Sequence, residues 1–127
     1  MKVKVSTATG AALNWLVARA EGVVAKVSKT GYLIFVDPTI PCGPQGAQYN
    51  PSTNWAQGGP IIEREEIELS PPFTSFDEST GNTTVWGWSA GIHRVASQMG
   101  PTPLIAAMRC YVASKLGDEV YVPEELT

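Results

Sequence analysis

The sequence has few of the residues that build metal and catalytic centres. It contains one histidine and two cysteines, well separated along the chain. A zinc site gathers several such ligands at short, regular spacings, so we expect no metal site and no cofactor. Cys42 and Cys110 lack CxxC spacing, which favours two reduced thiols and leaves a disulfide between them as the alternative.

Clusters of lysine or arginine are also lacking. Nine basic and twelve acidic residues give a formal net charge of -3. Proteins that bind nucleic acid need a basic patch to meet the phosphate backbone, so we expect no nucleic-acid partner. The acidic residues concentrate at Glu63 to Glu68 and at Asp118 to Glu125, which is typical of solvated faces.

Long apolar runs are missing as well. No window approaches the ~20 apolar residues that cross a bilayer, and the first ten residues, MKVKVSTATG, lack the apolar core of a signal peptide. We therefore expect no membrane partner and a protein that stays in the cytoplasm where it is made.

The chain does contain a well-marked helix from Gly100 to Gly117. Thr102 predicts the N-cap, Pro103 suits the first helical position, and Gly117 supplies the left-handed end. An apolar stripe at helical spacing predicts the buried face: Leu104, Ile105, Met108, Val112 and Leu116.

Other periodic segments predict a second helix and several strands. Gly10 to Glu21 repeats apolar residues at helical spacing. Val23 to Val27 and Tyr32 to Val36 are rich in β-branched and aromatic residues around a polar turn, which predicts a hairpin. Glu119 to Val122 predicts a short strand after the last helix.

The middle of the chain is less regular. Asp37 to Gly59 is rich in proline and glycine and predicts a long surface excursion. Gly59 and Pro60 resemble a helix start, and Thr83 to Ser89 alternates as a strand. Ile92 to Met99 is predicted to be a short helix. With 43% apolar residues, the 127 residues predict a single α+β domain over 1–127, with helices packed on a small, mainly antiparallel sheet.

One segment matches a catalytic motif. Gly87, Trp88, Ser89, Ala90 and Gly91 follow the G-x-S-x-G pattern of a nucleophile elbow. Such hydrolases place an acid and then a histidine downstream, whereas the only histidine follows the serine by four residues. We therefore predict no catalytic residue and a protein that is not an enzyme, and leave a hydrolase built on Ser89 and His93 as an alternative.

The segment YNPSTNWAQGGP, from Tyr49 to Pro60, is the first candidate binding site. Tyr49 and Trp55 offer aromatic faces, Asn54 and Gln57 offer amide groups, and a glycine pair exposes backbone N–H groups. The structural alternative is a loop that its aromatic residues hold against the core.

A tryptophan pair is the second candidate. Trp86 and Trp88 share one face of the predicted strand. Exposed tryptophans anchor many protein interfaces, whereas buried ones pack the core.

Three segments together resemble the phage NinX-like proteins. They are TGAALNWLVARAEG from Thr9 to Gly22, NWAQGGPIIERE from Asn54 to Glu65, and GPTPLIAAMRCYVASKLGDEV from Gly100 to Val120. The resemblance implies a small accessory protein of a phage or prophage that acts in the cytoplasm of the bacterial host. It supplies no catalytic residues.

Two hypotheses follow from the residues and this resemblance. The first is a non-enzymatic protein that binds a host or phage protein through Tyr49 to Gln57 and the Trp86 and Trp88 face. The alternative is a protein that sequesters a small, nucleotide-like ligand in a pocket lined by Asn54, Trp55, Gln57 and the backbone of Gly58 and Gly59.

Overall fold

The computed structural model describes residues 2–22 and 49–123, together with the backbone of 25–27 and 34–36. In these residues the elements follow in the order β1 (Lys2–Lys4), a 3₁₀ helix (Val5–Thr7), α1 (Gly10–Ala20), β2 (Ala25–Val27), β3 (Ile34–Val36), α2 (Trp55–Glu65), β4 (Glu68–Ser70), β5 (Phe73–Asp77), β6 (Asn82–Trp86), β7 (Trp88–Ile92), β8 (Ala96–Gly100), α3 (Pro103–Leu116) and β9 (Glu119–Tyr121).

Helix α3 lies at the centre of the fold. As predicted, the Thr102 hydroxyl accepts a hydrogen bond from the Ile105 N–H, and Gly117 ends the helix with a φ of 91°. The predicted apolar stripe understated how much of the helix is buried, because every residue from 106 to 112 is buried. The sheet contacts this helix, as do α1 and α2, so it has little exposed surface.

The largest sheet has three antiparallel strands in the order β4-β7-β8. Residues 92–99, predicted as a short helix, instead form the end of β7, a turn and most of β8, with Ile92 paired to Ala96. That prediction was wrong because a few apolar residues at mixed spacing fit a turn between strands as well as a helix. Arg94 has a φ of 59° in this turn.

Helix α2 begins earlier than predicted. It starts at Trp55, and the Asn54 side chain accepts a hydrogen bond from the Ala56 N–H as its N-cap. Pro60, predicted to open the helix, lies inside it. The proline ring has no N–H to give to the carbonyl one turn earlier. Both Pro60 and Ala56 are exposed, so solvent can satisfy that carbonyl.

Polar side chains join the three helices on one side. Arg64 of α2 makes a bidentate ion pair with Glu21 at 2.8 and 3.1 Å, and the Tyr111 hydroxyl donates to the same carboxylate at 2.8 Å. Hydrogen bonds to Glu21 and Glu65 raise the pKa of Arg64. Burial, together with the bond to Glu21, raises the pKa of Tyr111. The phenol therefore stays protonated and keeps donating to Glu21 at neutral pH.

The fold class is as predicted. The described helices and antiparallel strands form an α+β architecture with one buried hydrophobic cluster. The predicted hairpin is present as β2 and β3, with Ala25 paired to Val36, and the predicted C-terminal strand is present as β9. Strand β9 pairs with β1, an N-terminal strand that the sequence analysis did not predict. Cys110 is free and buried, and Cys42 lies outside the described residues.

Candidate functional site

The strands β5 and β6 form an exposed hairpin. Their register pairs Phe73 with Trp86 and Asp77 with Asn82, and all ten strand residues are exposed. Neither strand has more than slight contact with any other helix or strand of the described residues. The hairpin therefore stands away from the rest of the described fold.

Large hydrophobic side chains occupy both faces of this hairpin. Half of the exposed large hydrophobic residues in the described part of the chain lie on it: Phe73, Phe76, Val85 and Trp86. Because paired residues share a face in an antiparallel ladder, Phe73 and Trp86 lie on one face. Phe76 and Val85 lie on the other, and their exposed fractions are 64% and 75%.

The face with Trp86 is ordered by side-chain contacts. The rings of Phe73 and Trp86 stack with their centroids 5.8 Å apart, and the indole N–H donates to the Ser75 hydroxyl at 2.9 Å. An open groove of about 560 Å³ lies beside these rings. Seven uncharged side chains line it: Ser6, Phe73, Trp86, Ser89, Ser97, Gln98 and Met99. The groove thus combines an aromatic wall with hydroxyl and amide groups.

The two tryptophans predicted as one patch are separated. The predicted strand from Thr83 to Ser89 is in fact two strands in different sheets, interrupted at Gly87. Trp86 belongs to the exposed hairpin, whereas Trp88 is partly buried against the hydrophobic cluster. A β-carbon at Gly87 would lie 2.9 Å from the Gly100 carbonyl oxygen, so this close approach requires glycine.

The segment ahead of α2 is held to the core by polar contacts. Asn14 of α1 accepts hydrogen bonds from the Ser52 N–H at 3.0 Å and from its hydroxyl at 2.7 Å. The side-chain Oε1 of Gln57 accepts a hydrogen bond from the Asn50 backbone N–H at 2.6 Å, and Tyr49 is buried. These contacts give Tyr49 and Gln57 roles in holding the segment to the core. Asn54 also has a structural role, because its side chain caps α2.

Trp55 differs from Tyr49 and Gln57, which are buried, because it is 52% exposed. We expect Trp55→Ala to lower the free energy of unfolding by less than about 1 kcal/mol, since little packing is lost. Chemical denaturation of the variant and the wild type measures this difference. A loss as large as that of a core substitution would instead assign Trp55 a structural role.

The residues of the catalytic motif do not form a nucleophile elbow. Ser89 is the second residue of β7, paired with Met99 on one side and Ser70 on the other. An elbow needs a sharp turn from a strand into a helix. His93 follows the end of the strand, and the rise of about 3.3 Å per residue places it roughly 10 Å or more along the chain from Ser89.

Among the residues that the structure describes, Cys110 is the remaining candidate for nucleophilic chemistry. It is buried, its sulfur lies 3.5 Å from the Ala96 carbonyl oxygen, and burial raises the pKa of the thiol. A raised pKa keeps the thiol protonated and unreactive at neutral pH. In residues 2–22 and 49–123, no group of histidine, cysteine and carboxylate side chains is placed to hold a metal ion.

The sequence analysis missed the hairpin as a candidate surface. It predicted no strand over Phe73 to Phe76, and identified Trp86 without its partner strand. A signal for the hairpin was nevertheless present, because residues 73–76 and 83–86 combine threonine or serine with large apolar residues on the two sides of a polar turn. This pattern predicts the two strands of a hairpin but not their exposure, which the structure shows.

The fold and this surface define a small α+β protein in which a projecting hairpin carries half of the exposed large hydrophobic residues that the structure describes. Residues 4–115 match the family model described as bacteriophage P22 NinX. The chain belongs to this family of phage accessory proteins, as the three sequence segments predicted. A comparison with curated proteins found no match. None of the described helices has the length and apolar character needed to cross a bilayer.

Proposed function

We propose that this protein is a non-enzymatic accessory protein that binds a host or phage protein through the hairpin of β5 and β6. The observation that carries the proposal is the exposure of large hydrophobic side chains on both faces of a hairpin with little support from other described elements. Exposed apolar surface of this kind marks sites of protein interaction.

The energetics of a hairpin support the same proposal. An isolated two-stranded hairpin is marginally stable in water, and a third strand or a packed helix is usually needed to support it. A partner that covers Phe76 and Val85 would supply this support and bury apolar area worth roughly 25 cal/mol per Å². Trp86, already held by Phe73 and Ser75, would meet the partner with little loss of conformational freedom.

The cytoplasm of the infected bacterium is the proposed place of action. Membership in a phage family and the scarcity of cysteine in the chain support this proposal. Binding without catalysis is consistent with a Ser89 that lies in a strand paired on both sides, and with a protonated, buried Cys110.

A pull-down from phage-infected host lysate tests the proposal. Phe76→Thr/Val85→Thr removes both large side chains from one face and keeps residues that favour strands. Because both side chains are exposed, the fold should be unaffected. We expect this variant to capture at least about tenfold less of the partner than the wild type, as loss of interface anchors does. Quantitative mass spectrometry of the eluates measures the ratio.

Trp55→Ala is the matched control, because it removes an exposed aromatic side chain from α2. It should retain the partner. Loss of the partner from Trp55→Ala alone would move the interface to the start of α2, and equal capture by all three proteins would exclude the hairpin.

The groove beside Trp86 favours small-ligand binding as a second candidate function. Its volume of about 560 Å³ falls in the range of small-molecule sites. Small molecules extracted from the same eluates, with no protein partner, would favour this alternative.

A further inference from the structure

The charged residues next to the hairpin in the sequence are all acidic. Residues 65–93 include no lysine or arginine, but they contain five carboxylates. Two of these, Asp77 and Glu78, are the only charged residues of the hairpin, and both are exposed at its tip. The hairpin therefore combines apolar faces with an acidic end.

Both tip carboxylates are exposed and can meet a partner. The Ser79 hydroxyl and N–H donate to Asp77 at 2.6 and 2.9 Å, and these bonds lower the pKa of that carboxyl. Neither Asp77 nor Glu78 makes an ion pair within the described residues. By contrast, Glu21 and Glu65 are both paired with Arg64.

We propose that the partner of the hairpin is a basic protein surface, namely an apolar cleft bordered by lysine or arginine. This inference rests on the proposed function and adds the chemistry of the partner. An apolar cleft would cover Phe76 and Val85, and cationic side chains at its end would meet Asp77 and Glu78. Complementary charges of this kind speed association and exclude wrong partners.

The same charges disfavour the other macromolecular occupants. A second copy would bring an identical acidic tip and a net charge of -3 to the interface, and like charges at an interface are costly. Nucleic acid and anionic lipid surfaces repel carboxylates for the same reason. A basic protein can make favourable contacts with both the apolar faces of the hairpin and the carboxylates at its tip.

The test uses the full chain and a synthetic heptapeptide that alternates lysine with phenylalanine or leucine. Its twin carries glutamate in place of each lysine. Backbone amide shifts in NMR titrations report where each peptide binds and how tightly. We expect the lysine peptide to shift amides within residues 73–86 and the glutamate peptide to leave them unchanged. We also expect the affinity for the lysine peptide to fall at least about fivefold between about 50 mM and about 500 mM salt.

Two charge variants sharpen the test. Asp77→Asn/Glu78→Gln keeps the size of both side chains and the acceptor for Ser79, and should weaken binding of the lysine peptide at least about fivefold at low salt. Glu63→Gln/Glu66→Gln removes the same charge around the end of α2 and should change the affinity less than about twofold.

The outcomes separate this inference from the proposed function. Equal binding of both peptides, no effect of Asp77→Asn/Glu78→Gln, or no shift of the hairpin amides by the lysine peptide would overturn the basic partner. A pull-down that still depends on Phe76 and Val85 would in that case leave the proposed function standing. Loss of that dependence, in contrast, would remove the proposed function and this inference together.

Discussion

Met108→Ala is expected to lower the free energy of unfolding by about 2 to 5 kcal/mol, the range for truncating a fully buried side chain. Met108 has no solvent exposure and lies in the buried stretch of α3, which the sheet, α1 and α2 all contact. Removing its thioether leaves a cavity that helices and strands packed on several sides cannot easily close. Denaturant titration followed by circular dichroism measures the loss.

Ile105→Ala provides the comparison on the same helix, since Ile105 is only partly buried at the edge of the cluster. Its cost should be clearly smaller, because solvent can replace some of the lost contacts. Equal losses in the two variants would contradict the central position of α3 in the core.

Gly58→Ala is expected to lower the free energy of unfolding by about 1 to 3 kcal/mol, although alanine favours helices over glycine. A β-carbon at Gly58 would lie 2.5 Å from the Pro51 carbonyl oxygen and 2.6 Å from a methyl carbon of Leu104. The oxygen belongs to backbone in a turn that Ser52 fastens to Asn14, so it cannot move away cheaply.

The neighbouring glycine is the control for this effect. At Gly59 the nearest atom to an added β-carbon is 4.0 Å away, on the Trp55 ring. We expect Gly59→Ala to remain within about 1 kcal/mol of the wild type, because the gain in helix propensity opposes the crowding that a side chain meets before Pro60. Thermal unfolding of the two variants side by side measures the contrast. Similar destabilisation by both would show that loss of glycine itself, rather than close packing, is responsible.

The candidate surface could be predicted only in part. Trp55 and Trp86 were identified as candidates from their residue type and their place in the sequence, and both are exposed. Their neighbours Tyr49 and Trp88 carry the same kind of side chain and are buried or partly buried. Aromatic residues suit cores and interfaces equally well, so their type does not reveal which role each one has.

Some boundaries of the helices could be predicted from the sequence and others could not. The cap at Thr102 and the stop at Gly117 were predictable because each acts on backbone groups within one helical turn. The start of α2 was not, because its glycines and proline are locally typical of a loop. They become helical where Gly58 fits closely against Leu104 and the Pro51 carbonyl.

The amino-acid sequence was enough to predict the α+β class, the ends of α3 and the family, and it shows directly that residues 65–93 are acidic. These depend on local backbone chemistry and on residue type. Other features became known only from the tertiary structure. Residues 92–99 form a turn and most of β8, Trp86 and Trp88 lie in different sheets, and the hairpin of β5 and β6 is exposed. Strand pairing and exposure depend on which distant segments pack together, and no local pattern carries that information.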